Sequence, residues 1–87
     1  MMVEKIKHSL RIGHDSINSD IQEHIDACKL DLKRVGVKKI EDTDPLIIQA
    51  AKLYVKWHLN FEDEADRYRN AYEMLRNSLA MSGDYNV

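Results

Sequence analysis

The stretch DPLIIQAAKLYVKWHLNF, residues 44–61, constrains this chain more than any other. Asp44 can cap a helix N-terminus with its carboxylate, and Pro45 suits the first helical position, where its missing N–H would be unpaired anyway. At about 100° per residue, Leu46, Ala50, Leu53, Trp57 and Phe61 fall on one narrow stripe. Ile47, Ala51, Tyr54 and His58 widen that stripe, and Ile48, Val55 and Leu59 carry it almost to the far side. Only Gln49, Lys52, Lys56 and Asn60 form a polar strip. A helix that is apolar over most of its circumference is a buried one. This one is too short and too polar to span a membrane. The sequence therefore predicts a central core helix over about 45–61, with Leu53 and Trp57 as its anchors.

The remaining helices are read around it. Val3, Ile6 and Leu10 recur at helical spacing, which predicts a short first helix over about 2–12 that stops near Gly13. His14, Asp15 and Ser16 read as a turn, and Asp15, Ser16 or Ser19 can cap the next helix. That helix is expected over about 17–35, ending at Gly36 as a left-handed cap residue. Its core stripe is Ile17, Ile21, Ile25, Cys28, Leu32 and Val35, within an arc of about 80°. Leu30 points away from it. Val37 and Ile40 in the following loop can pack back on the core. A fourth helix is expected over about 63–82, its acidic start suited to the helix dipole. Its stripe is Ala65, Tyr68, Tyr72, Leu75 and Leu79, with Met74 opposite and a loose tail after Gly83. The predicted fold is all-α: a small bundle of about four helices around a central, mostly apolar helix, with residues 1–87 as a single domain.

Composition narrows the function classes. At 87 residues, 44% apolar and 32% charged, the chain resembles an ordinary folded domain rather than a disordered tail. A net charge of −2 argues against a free-standing nucleic-acid binder, which is usually basic. The single cysteine excludes an internal disulfide. MMVEKIKHSL lacks the continuous apolar run of a signal peptide, so synthesis in the cytoplasm is expected.

The residues that could carry chemistry do not assemble into a site. His24 and Cys28 share one helix face at i, i+4, but a structural zinc site needs about four ligands and no second pair exists. They read as a flanking histidine and a small core residue. His58, beside Tyr54 and Trp57, has no nucleophile in an activating context, and no Gly-rich phosphate loop occurs. Enzymatic activity and a metal are not expected. Lys29, Lys33, Arg34, Lys38 and Lys39 form a basic cluster interrupted by Asp31. Without interleaved aromatics it reads as a solvated face with helix-end charge pairing before it reads as a phosphate-facing patch. Glu62, Asp63, Glu64 and Asp66 form the opposite block. Leu30, Ile48, Val55, Leu59 and Met74 lie off the main stripes, and so small a chain can hardly cover all of them. That spare apolar surface tilts the reading toward self-association.

Three stretches, IDACKLDLKRVGV, DTDPLIIQAAKLYVKWHLNF and YRNAYEMLRNSLAMSGDYN, resemble the small head–tail connector proteins of tailed bacteriophages and prophages, also called DNA-packaging or head-completion adaptors. The similarity covers nearly the whole chain. It rests on an ordered set rather than one motif: SLRI, then ACK-DL---GV, then KLY-K on an apolar helix, then AYE-L---LA-SG-Y. The resemblance implies an all-α structural subunit that forms a homo-oligomeric ring at the portal vertex. It implies portal and tail or neck proteins as partners, non-specific contact with packaged DNA, and no cofactor. It also implies assembly in the host cytoplasm and a final place in the virion neck.

On that reading Leu30, Ile48, Val55, Leu59 and Met74, with Glu62 and Asp63, are candidate subunit-interface residues. Lys33, Arg34, Lys38 and Lys39 are candidate contacts for channel DNA or an acidic partner. The competing reading is a small helical DNA-binding regulator or another partner-binding module. A helix-turn-helix joins its helices by about three or four residues. The connection here is longer, and Lys52 and Lys56 are the only cations on the would-be recognition helix's polar strip.

Overall fold

The computed structural model describes residues 5–8 and 18–86. Among them are α1 (residues 5–8), α2 (Asn18–Arg34), α3 (Pro45–His58) and α4 (Ala65–Met81), with a 3₁₀ turn at Phe61–Asp63 and no strand. The all-α reading of the sequence therefore holds. The rest of the expected 2–12 helix, the stop at Gly13, the turn and caps at 14–16, and Ile17 lie outside the described residues. Ser19 falls inside α2.

α3 starts as its sequence dictates. The Asp44 carboxylate accepts the Leu46 N–H at 2.9 Å, and Pro45 occupies the first turn. Its end differs from expectation: it stops at His58 rather than near Phe61. Asn60 takes left-handed backbone angles (φ 50°, ψ 46°), which turns the chain back toward α4. Asn, with its short polar side chain, visits this region more readily than most residues. The same side chain then holds the turn together. Its Oδ1 accepts the Ala65 N–H at 3.2 Å, and its Nδ2 donates to Asp63 Oδ1 at 3.1 Å.

α2 ends on the glycine that its sequence offers. Gly36 has φ +103°, the Val37 N–H bonds back to Leu32 O at 2.9 Å, and the Gly36 N–H to Lys33 O at 3.1 Å. This six-residue closure satisfies two carbonyls at the helix end. It also drives Val37 into the core, where it is fully buried, with Ile40 packed behind it.

The core gathers Ile6, Ile21, Ile25, Cys28, Leu32 and Val37 with Ile47, Ile48, Ala50, Ala51, Val55, Tyr72 and Leu79. The α2 stripe is the expected one, with Val35 partly buried. α3 is the central helix, packed on α2 along one side and on α4 along the other. Its buried face is nonetheless turned by roughly one helical step, ~100°, from the expected stripe. Leu46 is exposed, and Leu53 and Trp57 are partly buried flankers rather than anchors. Ala50 is the one member of that stripe that is fully buried, and the face carrying Ile47, Ala51 and Val55 goes inward with it.

The tail is not loose. Tyr85 packs partly buried against the core, and its carbonyl accepts the Lys38 and Lys39 N–H groups at 2.7 and 3.0 Å. Its hydroxyl reaches the Asp44 carboxylate. The ends of α2 and α4 and the start of α3 therefore share one end of the bundle, and the 59–64 hairpin forms the other. α2 and α4 run parallel to each other and antiparallel to α3.

Candidate functional site

Among the described residues the candidate sites are charged surfaces near the two ends of the bundle. At the end built by the α2–α3 loop, Lys33, Arg34, Lys38 and Lys39 are all exposed. Arg34 is neutralised by Asp31, with its Nη2 2.6 Å from Oδ1, and Lys29 pairs with Asp42 at 2.6 Å. No carboxylate among the described residues lies within ion-pair distance of Lys33, Lys38 or Lys39. The backbone bonds to Tyr85 fix the segment that carries Lys38 and Lys39.

At the hairpin end the acids sort in the same way. Glu64 pairs with Arg67 at 3.1 Å and Asp66 with Arg69 at 3.9 Å, so the later half of the acidic run is spent on its own helix. Glu62 and Asp63 are exposed and form no ion pair with a described residue. Both adopt positive φ, 54° and 60°. Such angles cost a non-glycine residue roughly 1–2 kcal/mol each, so the hairpin holds these two exposed carboxylates, Asp63 bonded also by Asn60 Nδ2, in a constrained turn.

The expected apolar set splits in two. Leu30 is 68% exposed and Met74 72%. Ile48 and Val55 are 8% and 0% exposed, and Leu59 is partly buried against the core. The subunit's own core uses Ile48 and Val55, because α3 turns that face inward, and neither is available to a neighbour. Leu46 (45% exposed) and Met81 (82%) take their place on the surface. Met81 was legible: it lies seven residues after Met74, on the same side of α4.

The sequence treated Asp31 only as an interruption in a basic cluster, yet it joins two helices. Its Oδ2 accepts the Tyr72 hydroxyl at 2.7 Å and Arg76 Nη1 at 3.3 Å, while Oδ1 holds Arg34. The Cys28 thiol lies 3.8 Å from the Tyr72 oxygen. Burial pushes the Asp31 carboxyl up, but the hydrogen bonds from Arg34, Tyr72 and Arg76 outweigh it and hold the group below its ordinary value. Burial raises the Cys28 thiol to about 11. The sequence signal for this network was an acid at the edge of the α2 stripe, facing a Tyr and an Arg four apart on α4.

His24 and Cys28 do not converge. The His24 ring lies against His58, 5.4 Å between centroids, while Cys28 faces Tyr72. His58 stacks on Tyr54 at 4.1 Å and donates from Nδ1 to the Tyr54 carbonyl at 2.9 Å. Trp57 and Tyr72 complete this aromatic layer between α3 and α4. No three His, Cys, Asp or Glu side chains among the described residues are placed to share a metal ion.

No helix among the described residues is long and apolar enough to cross a membrane. Neither the curated proteins nor the solved structures provide a match to the chain. The family model for phage connector protein matches residues 2–86, nearly the full length of the chain, and the chain belongs to that family of structural phage proteins.

Proposed function

We propose that copies of this chain close a ring at the portal vertex of a tailed phage, joining head to tail and continuing the DNA channel. The observation that carries this reading is the family match over residues 2–86. The geometry supports it at the bore, since a DNA channel needs a lining that does not repel phosphate. The bundle has unlike ends about 20 Å apart, the rise of α3 at 1.5 Å per residue. Among the described residues Lys33, Lys38 and Lys39 form no ion pair at one end, and Glu62 and Asp63 form none at the other. At the lysine end Asp44 is near enough to feel the Lys39 charge, and Glu41 and Asp84 lie near Tyr85.

On this reading Lys38 and Lys39 face the bore, with Lys33 beside them, and Arg34 contributes less because Asp31 neutralises it. Glu62 and Asp63 face the outside or the next neck component. The basic and acidic blocks lie at opposite ends, so they meet only between partners stacked along the bundle axis. The partners are further copies of the chain, the portal protein and tail or neck proteins, with non-specific contact to packaged DNA. Assembly takes place in the host cytoplasm and the product resides in the virion neck.

α3 counts against the regulator reading. It is packed between two helices, residues 35–44 separate it from α2, and Lys56 lies over the Phe61 and Tyr68 rings. Reconstitution with the cognate portal, imaged by electron microscopy, tests the proposal. A ring of density on the portal is expected. Protein that stays off the portal at high concentration, or that binds an operator tightly as a monomer, overturns it.

A further inference from the structure

The outer flanks of α2 and α4 are unlike, and they match in height. On α2, Leu30 lies about 200° from both Cys28 and Leu32, the residues that face the core, so it points outward. On α4, Met74 lies about 200° from both Tyr72 and Arg76, the residues that reach Asp31. The Asp31 bonds set a common level. Residue 31 of α2 stands opposite the 72–76 turn of α4, and the two helices run parallel. Leu30 therefore stands on the same level as Met74 to within about one helical turn, ~5 Å.

The same offset carries down both helices. Glu23 and Asp26, exposed on the outer face of α2, stand level with the part of α4 that carries Arg67. The Arg67 side chain is 71% exposed on the outer side with Met74, and its pair with Glu64 at 3.1 Å is a surface i, i+3 contact, weak enough to be exchanged for an acid on a neighbour. One flank thus reads acid then leucine, and the other arginine then methionine, at equal heights. These stripes point away from each other within a subunit and cannot meet there. Copies arranged around the ring with their bundles along its radii, as bore-facing Lys38 and Lys39 require, keep each level at one distance from the axis, so the two stripes come face to face between neighbours.

We propose that the Leu30 flank of α2 in one copy packs on the Met74–Met81 flank of α4 in the next, with Glu23 and Asp26 opposite Arg67. The occupant of each flank is a second copy of this chain, joined head to tail. This assignment rests on the ring reading and names the surface that closes the ring. Like-charge pairing and an isologous contact are both disfavoured. Two α4 flanks would bring arginine and methionine against themselves without the acids.

The test uses disulfide trapping of the full chain on the cognate portal. Leu30 and Met74 are exposed, so L30C and M74C leave the fold intact, which circular dichroism checks. Cys28 is retained because it is buried. The expected result is a ladder of cross-linked oligomers from the L30C/M74C double variant. Each single variant alone gives no cross-link, and a mixture of the two gives dimer. R67E should abolish the ladder, and R67E combined with E23R and D26R should restore it. Dimer from M74C or L30C alone would establish a two-fold contact and overturn the assignment. Rings visible on the portal without a ladder would leave the ring reading standing and remove this surface from it. No ring on the portal would remove the ring reading itself.

Discussion

The Tyr85 hydroxyl donates to the Asp44 carboxylate, 2.9 Å from Oδ2 and 3.0 Å from Oδ1, and ties the end of the chain to the first turn of α3. The two residues are 41 positions apart. Asp44 meanwhile caps α3 through the Leu46 N–H, so one carboxylate serves both the helix start and the tail. The tail in turn supplies the acceptor for two loop amides, Lys38 and Lys39.

Removing that acceptor is the first prediction. Truncation after Ser82 leaves the Lys38 and Lys39 N–H groups without a protein partner, and their hydrogen exchange should accelerate sharply. Tyr85→Phe keeps the ring packing and the carbonyl but loses the hydroxyl, so its effect should be in the same direction and smaller. Native-state exchange measured by NMR separates the two. Unchanged protection of Lys38 and Lys39 in the truncated chain would mean that the tail does not hold this loop.

Asp31 is the polar joint between α2 and α4. Asp31→Ala leaves the Tyr72 hydroxyl and Arg76 without their shared acceptor and should cost about 1–3 kcal/mol. Tyr72→Phe removes one bond while keeping the buried ring, and should cost about 1 kcal/mol. The double variant should fall short of the sum, because the two changes remove a common interaction. Urea unfolding measures all three, and strict additivity would contradict the shared bond.

Adjacent residues on α3 should differ sharply. Ile47 is fully buried, whereas Leu46, one residue before it, is exposed. Ile47→Ala should cost about 2–5 kcal/mol and Leu46→Ala less than about 0.5 kcal/mol. Trp57→Ala should fall between them, since the indole is partly buried against Tyr54, His58 and Tyr72. Equal losses at 46 and 47 would place the inward face of α3 elsewhere.

That phase of α3 marks where the sequence stopped being legible. The α2 stripe was readable because polar residues bound it on both sides, and Ile21, Ile25, Cys28 and Leu32 are all buried. α3 is apolar nearly all round, so its own pattern left the inward direction free, and packing against α2 and α4 decided it. Gly36 announced its turn. Asn60 did not, because nothing local distinguishes a left-handed Asn from one more helical residue. The Tyr85–Asp44 and Tyr72–Asp31 bonds are pairings over 41 residues, which periodicity cannot see. The unpaired state of Lys33, Lys38, Lys39, Glu62 and Asp63 was equally hidden. It depends on which neighbouring charges the fold consumes.

Cys28 should be chemically quiet in the folded protein. It is buried, and a thiol held at about 11 is almost wholly protonated at neutral pH, whereas the thiolate is the reactive form. A disulfide-forming aromatic reagent should label it slowly in buffer and within mixing time in urea. Fast labelling of the native protein would remove Cys28 from the core.

Stability should fall with acid in two separate stages, and the groups responsible lie at different places. His24 is held below its ordinary value by burial and by the neighbouring His58 of α3, against the opposing pull of Asp20 and Glu23 on its own helix. The unfolded chain then takes up this proton more readily than the native one. The contribution of His24 is therefore full above about pH 6.5 and declines as pH falls from there. Asp31 and Asp44 are also held low. In both, burial pushes the carboxyl up, and hydrogen bonds outweigh it: Arg34, Tyr72 and Arg76 at Asp31, Tyr85 and the first amides of α3 at Asp44. Their contribution is complete above about pH 4 and is lost as pH drops through their native values. Urea midpoints from pH 8 to pH 3 should show a first decline below about 6.5 and a second below about 4. His24→Gln should remove the first and leave the second, and Asp31→Asn should blunt only the second. A first decline that survives His24→Gln would assign it to another group and dissolve the role given to the His24–His58 contact.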